Sequence, residues 1–223
     1  MRRSLYLRNK YTEAEIKVLL KNLCVIVDTR EQVWNNIEEY FKKSNILYRR
    51  EKLSQGDYSI CIISNDETKP LGINRDLYFD NEIVIERKAS IDEIAGNMKE
   101  PERTRLKKEF SYLKSKGTII KFFLEDQTLE NELKKLKRET REKLEEVLKE
   151  VKSQNVFLVP EGFDYKLRYH HYRSQYKPVS LNGSIKAFES DFDFTLRPVP
   201  KDVIGSEIYY TLYYHVKNQL LGK

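Results

Sequence analysis

The sequence predicts an α/β protein in which a mixed central sheet is flanked by helices. Two patterns support this: short apolar runs rich in β-branched residues, and longer segments whose apolar residues recur at helical spacing. The strand-like runs come first as an antiparallel group and then alternate with helical segments. With 223 residues, of which 39% are hydrophobic, the chain is long enough for one elaborated domain spanning residues 1–223.

Residues 1–23 predict a basic arm followed by a short helix. The first ten residues hold Arg2, Arg3, Arg8 and Lys10 among few apolar side chains, which fits a flexible arm or a solvated terminus. The helix is expected to begin at a capping box that starts at Thr12.

Residues 24–126 form the predicted core. Strands are expected at residues 24–27, 46–53, 58–63, 76–88 and 118–124. Helical spacing occupies residues 32–44 and resumes at Ser90, whose distance from Glu93 matches a second capping box. Pro101 interrupts this helix, and another is expected from Glu102 until Gly117, a natural stop.

The rest of the chain divides into an insertion and a return to the core. Residues 127–159 predict a mainly helical insertion, with a Leu and Val stripe beside nearly balanced charges. Residues 160–223 predict the C-terminal part of the core, with helices at 180–191 and 202–221 around a strand at 194–199. The Tyr-rich and basic stretch 165–176 fits either a DNA-contacting surface or half-buried tyrosines.

Composition limits the cellular setting more than the function. The 41 Lys and Arg residues exceed the 35 acidic ones, and a net charge of +6 permits a polyanionic partner without demanding one. Cys24 and Cys61 lie in apolar runs, as expected for buried thiols in a reducing compartment. No apolar run has the length of a membrane span, and Met1 is not followed by a signal-peptide core, so we expect an intracellular protein without a membrane partner.

Charged residues crowd the ends of three predicted strands: Asp28, Asp57 and Glu86. Because strand side chains alternate between faces, Glu86 and Lys88 are expected on one face and Arg87 on the other. A carboxylate and an ammonium beside a core must be paired or functional, since burying charge is costly. A charged triplet on an exposed strand is the alternative.

These residue types suit phosphodiester hydrolysis. Carboxylates bind a hard divalent ion such as Mg²⁺, which polarises a phosphoryl oxygen and lowers the pKa of bound water. A neighbouring lysine can orient that water or stabilise the transition-state anion, particularly if desolvation lowers its own pKa. The carboxylates alone, however, are a weak signal in a charged protein.

Three segments together are much more specific. Val27–Glu31 (V-D-T-R-E), Gly56–Ile60 (G-D-Y-S-I) and Glu86–Asp92 (E-R-K-A-S-I-D) stand in this order. They resemble the XPF-type nucleases of the PD-(D/E)xK superfamily, whose motif is V-D-x-R-E, then G-D, then E-R-K-x-x-x-D. The R-x-x-x-E spacing from Arg105 to Glu109 is similar to that of a helix in the same family. The resemblance covers residues 24–126 and resumes near Tyr172, where the chain looks like phage and prophage members.

The resemblance implies a restriction-endonuclease-like fold and a metal-dependent endonuclease that cuts branched DNA in repair or recombination. The implied metal ligands for Mg²⁺ or Mn²⁺ are Asp57, Glu86 and Asp28, and Lys88 completes the catalytic set. Supporting roles are implied for Arg30, Glu31, Arg87 and Asp92. Arg105 and Arg173 are the implied contacts to the DNA backbone.

One departure from the family affects the expected partners. Eukaryotic XPF-type enzymes carry a tandem helix-hairpin-helix module and act as dimers, whereas this sequence has only 8 glycines and no pair of glycine-centred hairpins. Branched DNA and a homodimer or heterodimer therefore remain expectations. The alternatives are a non-catalytic DNA-binding subunit and a PD-(D/E)xK nuclease without branch selectivity.

Overall fold

The computed structural model describes residues 10–126, 142 and 176–222. Most of the predicted basic arm, nearly all of the predicted insertion at 127–159, and Arg173 lie outside these residues. The remaining elements contain every other residue of the predicted site.

A seven-stranded mixed sheet forms the centre of the described structure. Its strands are β1 Leu23–Val27, β2 Tyr48–Arg50, β3 Tyr58–Ile62, β4 Leu77–Tyr78, β5 Ile83–Lys88, β6 Ile119–Asp126 and β7 Leu196–Pro200. Their order across the sheet is β2-β1-β3-β5-β6-β7, with β4 paired to β3. The predicted fold class, a mixed α/β sheet flanked by helices, is confirmed.

The helices are α1 Glu13–Lys21, α2 Asn35–Lys43, α3 Ile91–Asn97, α4 Glu102–Lys116, α5 Pro178–Phe192 and α6 Ile204–Leu221, with a short 3₁₀ helix at Lys69–Leu71. Thr12 and Glu15 form the predicted reciprocal capping box of α1. Gly117 ends α4 with φ 70°, in the left-handed region that glycine tolerates. No helix in the described ranges is long and apolar enough to cross a membrane.

Strand directions differ from the expected antiparallel opening at one place. β2 pairs with β1 in parallel, because helix α2 carries the chain back across the sheet between them. β3 is antiparallel to both β1 and β5, as expected for the antiparallel group of strands. β5, β6 and β7 are parallel, so their carboxyl ends lie at one edge of the sheet.

Two apolar layers enclose the sheet. One face packs against α1, α2 and α6 and receives Val27, Ile85 and Phe123 from neighbouring strands. The other packs against α3, α4 and α5 and receives Val84 and Phe122. Alternate residues of β5 thus enter different layers, as the period of a strand requires.

An aromatic cluster anchors α4 and α5 in the second layer. Phe110 of α4 makes edge-to-face contacts with Phe122, Phe188, Phe192 and Phe194 at centroid separations of 5.3–6.4 Å. Such pairs contribute about 0.5–1.5 kcal/mol each beyond their buried area. This packing fixes the position of α4 against the sheet and hence the polar side chains that α4 directs to the strand ends.

Candidate active site

Gly56 allows the β3 turn to lie directly against β5. Its φ of 79° is in the left-handed region, and a Cβ built there would lie 2.9 Å from Cβ of Val84. The next residue, Asp57, then joins the sheet: its backbone N–H donates to the Ile85 carbonyl at 2.9 Å. The glycine of the G-D motif is therefore required both by backbone conformation and by close approach.

The Asp57 carboxylate is held at the end of β5. Its Oδ2 accepts a hydrogen bond of 2.7 Å from the backbone N–H of Arg87. Burial and repulsion by the nearby Glu86 raise the pKa of Asp57 well above its ordinary value, although Lys88 acts in the opposite direction. Two carboxylates thus share a site in which a single negative charge is already costly.

Lys88 lies on the same face as Glu86, as the strand alternation predicted. Its Nζ is 2.7 Å from Oε1 of Glu86 and 3.2 Å from Oε1 of Glu93. Burial alone would lower the pKa of Lys88, but the combined attraction of Glu86, Glu93 and Asp57 raises it above its ordinary value. The pKa of Lys88 is therefore not lowered by desolvation, a possibility that the sequence had left open. Lys88 is an ammonium held between carboxylates.

Glu109 of α4 joins the same group of carboxylates, although it was not among the predicted site residues. Its Oε1 accepts from the Gly56 backbone N–H at 3.3 Å, and its Oε2 lies 3.5 Å from Nη1 of Arg105. Burial and repulsion by Glu86 raise the pKa of the Glu109 carboxyl. The R-x-x-x-E spacing was the available signal, because residues four apart lie on one helix face.

Arg87 points to the opposite face of β5, which confirms its predicted orientation. Its buried guanidinium pairs with Glu125 at the end of β6, where Nε donates to Oε2 at 3.0 Å. Nη1 also lies 3.5 Å from Glu31, so this predicted supporting residue belongs to the Arg87 face. Burial raises the pKa of the Glu31 carboxyl despite the attraction of Arg87.

Glu125 was not singled out from the sequence, and the Tyr58 side chain on the same face was not either. Glu125 follows the apolar run of β6 directly, so the signal that selected the other strand ends was present there too. The hydroxyl of Tyr58 is buried without a hydrogen-bond partner, and this burial, together with the charge of Glu31, raises its pKa. The Arg87 guanidinium thus links the end of β5 to Glu125 at the end of β6 and to Glu31 after β1.

The Asp28 carboxylate is engaged by hydrogen bonds within the turn after β1. One of its oxygens accepts from the backbone and from Nε of Arg30, each at 2.7 Å, and the other accepts from the Leu53 backbone N–H, also at 2.7 Å. Burial would raise the pKa of Asp28, but these hydrogen bonds hold it below the ordinary value. Asp28 and Arg30 thus stabilise the turn after β1, which lies beside Asp57, and a role for Asp28 as a metal ligand stays a prediction.

The other predicted residues occupy varied settings. Asp92 lies in the first turn of α3, where the helix dipole stabilises a negative charge. Ser90 caps this helix by accepting from Glu93, but the Glu93 carboxylate accepts from Ala89, so the second capping box is incomplete. Arg105 is exposed on α4 beside Glu109.

The carboxylates of Asp57 and Glu86 suit a hard divalent ion. Among the described residues, no group of three Asp, Glu, His or Cys side chains is assembled to hold a metal. Mg²⁺ does not need such a set, since it commonly binds one or two carboxylates and completes its shell with waters and substrate phosphates. Burial and repulsion by Glu86 both raise the pKa of Asp57, and a bound cation would relieve that repulsion. The site therefore fits a small hard cation held by Asp57 and Glu86.

A family model, the ERCC4 domain, matches residues 27–203, which include the turn after β1, the glycine turn and the whole of β5. The chain belongs to the ERCC4 domain family. The predicted resemblance to XPF-type nucleases is thereby confirmed, and this ERCC4 domain has the nuclease fold with its charged motif intact.

Solved structures similar to this ERCC4 domain include XPF from Aeropyrum pernix, with 15% identity and a TM-score of 0.47 over 86% of this chain and 65% of that one. The same protein in complex with DNA matches with 16% identity and a TM-score of 0.48, over 87% and 65% of the two chains. This chain thus spans about 65% of the length of those proteins. No curated protein matches it.

Proposed function

We propose that this ERCC4 domain is a metal-dependent endonuclease that hydrolyses phosphodiester bonds in branched DNA. The observation that carries the proposal is the arrangement at the end of β5, where Asp57 and Glu86 repel each other beside the ammonium of Lys88. A structural site would pair these charges one to one, whereas this one places the acidic groups of Asp57, Glu86 and Glu93 around a single lysine.

In this proposal Asp57 and Glu86 hold Mg²⁺ or Mn²⁺. The bound ion would supply Lewis-acid polarisation of the phosphate and a more acidic water. The backbone N–H of Arg87 fixes the Asp57 carboxylate through Oδ2, which leaves Oδ1 for the ion. Glu109 adds negative charge from α4 and helps to position the turn at Gly56.

Lys88 would act as a fixed positive charge. Its carboxylate neighbours raise its pKa and favour the ammonium form. An ammonium in this position can orient the attacking water by hydrogen bonding and neutralise charge on the phosphorane-like transition state. Asp28 then contributes indirectly, by fixing the turn beside Asp57.

Branch selectivity, assembly and setting are further parts of the proposal. Flaps, forks or junctions are proposed as substrates from family membership, and the enzyme would act in DNA repair or recombination inside the cell. A homodimer or heterodimer would supply a second binding surface for a branched substrate. Arg105, exposed beside Glu109, would contact the DNA backbone at the site.

The test is a cleavage panel of labelled duplex, flap, fork and four-way junction with and without Mg²⁺ or Mn²⁺. We expect wild-type protein to cut branched substrates only with metal, and Glu86→Ala and Lys88→Ala to reduce the rate by at least about 10²-fold while retaining DNA binding. Lys17→Ala, at an exposed position of α1, is the matched control and should cut normally.

Three outcomes would contradict this proposal. Undiminished cutting by Lys88→Ala would remove Lys88 from the reaction. Binding to forks without cleavage in either metal would favour a non-catalytic DNA-binding subunit. Equal cutting of plain duplex and of branched substrates would favour a PD-(D/E)xK nuclease without branch selectivity.

A further inference from the structure

Helix α4 is the most basic element of the described structure. It contains six basic and two acidic residues, and its net charge of +4 compares with +6 for the whole chain. Leu106, Phe110 and Leu113 bury one face of this helix in the core. The remaining charge is therefore concentrated on the faces that meet solvent.

The basic side chains of α4 divide into two groups. Those of Arg103, Lys107 and Lys114 turn towards α5, where Arg103 and Lys107 lie over the ring of Phe188 and Lys114 pairs with Asp193 at 3.0 Å. The other three basic residues and Tyr112 follow spacings of three, four and four residues, which place all four on one outward stripe. The members of this stripe are Arg105, Lys108, Tyr112 and Lys116.

The stripe is exposed, and one end of it lies beside the candidate active site. The side chain of Arg105 is 59% exposed and lies beside Glu109, which contacts the Gly56 turn. Lys108 is also exposed, and Nζ of Lys116 lies 5.5 Å from the centroid of the Tyr112 ring. At 1.5 Å per residue, the stripe is about 16 Å long.

Its chemistry fits a phosphate backbone better than unpaired bases. Single-stranded nucleic acid is usually held by several aromatic rings on which successive bases stack, whereas this stripe offers one tyrosine among three cations. Cations in a straight row match the regularly spaced phosphates of a duplex strand, and 16 Å corresponds to about five base pairs. The occupant that the charge favours is thus double-stranded DNA.

We infer that this α4 stripe is a docking track for one duplex arm of the substrate. The arm lies along Arg105, Lys108 and Lys116 and leads its phosphate backbone towards Asp57 and Glu86. This inference rests on the proposed nuclease function and extends it, because it assigns residues outside the motif to substrate binding. The predicted contact of Arg105 becomes the first point of a longer surface.

The test compares the double variant Lys108→Ala/Lys116→Ala with the matched control Lys17→Ala/Lys43→Ala, whose residues are exposed on α1 and α2 over the other face of the sheet. Binding to a labelled fork is measured by fluorescence anisotropy in EDTA across a range of salt concentrations. Losing two phosphate contacts should lower the slope of log affinity against log salt by about 1.8. Between about 50 and 200 mM salt, the wild-type affinity should then fall roughly 12-fold further than that of the variant.

The control should match the wild type, and both variants should retain its melting temperature. If wild-type protein binds and cuts the fork and the α4 variant keeps the wild-type affinity and slope, the track is refuted and the nuclease proposal stands. A loss seen with single strands but not with duplex would refute the assignment to a duplex arm. If wild-type protein neither binds nor cuts any substrate, the nuclease proposal fails and the track fails with it.

Discussion

Replacing Gly56 by alanine should destabilise the fold through two separable effects. A left-handed backbone costs a residue with a Cβ about 1–2 kcal/mol. The new Cβ would also lie 2.9 Å from Cβ and 3.3 Å from Cγ2 of Val84, and Cβ of Val84 cannot move without moving β5. Such overpacking costs about 1–3 kcal/mol. Gly56→Ala should therefore lose roughly 2–5 kcal/mol of unfolding free energy in total.

Gly72 provides the matched control. It has a similar φ of 86°, but the nearest atom to its built Cβ is Nζ of Lys10 at 3.3 Å, the mobile end of a long side chain. Gly72→Ala should therefore show the backbone cost alone, about 1–2 kcal/mol. Urea denaturation followed by circular dichroism measures both values, and their difference reports the contact between the Gly56 turn and β5. Equal losses in the two variants would refute this explanation of the G-D glycine.

Three other predictions concern the site and its helices. Because the pKa of Asp57 is raised in the folded protein, its negative charge opposes folding, and this cost grows as pH rises from the ordinary carboxyl range through the folded pKa. Asp57→Asn should therefore melt at a higher temperature than wild type at pH 7 in EDTA. An unchanged or lower melting temperature would contradict this. Glu125→Leu should cost about 3–5 kcal/mol in urea denaturation because the buried Arg87 loses its closest partner and keeps Glu31 at 3.5 Å. Arg87→Met/Glu125→Leu should recover part of that loss, and a double variant as unstable as the single one would count against the pairing. Gly96→Ala should stabilise α3 by about 0.5–1 kcal/mol in the same assay, since nothing lies within 4 Å of the new Cβ, and destabilisation would contradict the open space there.

Local periodicity accounts for the features that the sequence predicted well. The side chains of Glu86 and Lys88 share a face and that of Arg87 takes the other, because alternation along a strand depends on the backbone alone. Helix α4 has the predicted bounds of Glu102–Lys116, because the proline before it and the glycine after it limit a helix through local backbone geometry.

Long-range packing accounts for the features that the sequence did not predict. Glu109 reaches the site because aromatic contacts press α4 onto the sheet, and no spacing within the motif reports that contact. Asp28 shows a different difficulty: its position at a strand end does not reveal its partners, and Arg30, two residues away, binds its carboxylate. A local cation can thus redirect an acidic side chain whose position in the fold was correctly placed.

The alternation along β5 makes strand register a condition for activity. Six consecutive parallel pairs with β6, from Ile83 with Ile119 to Lys88 with Leu124, fix that register. A shift of one residue would turn Glu86 and Lys88 into the apolar layer beside Phe123 and bring Arg87 among the carboxylates. Misregistered chains would therefore lose stability and the proposed catalytic centre together.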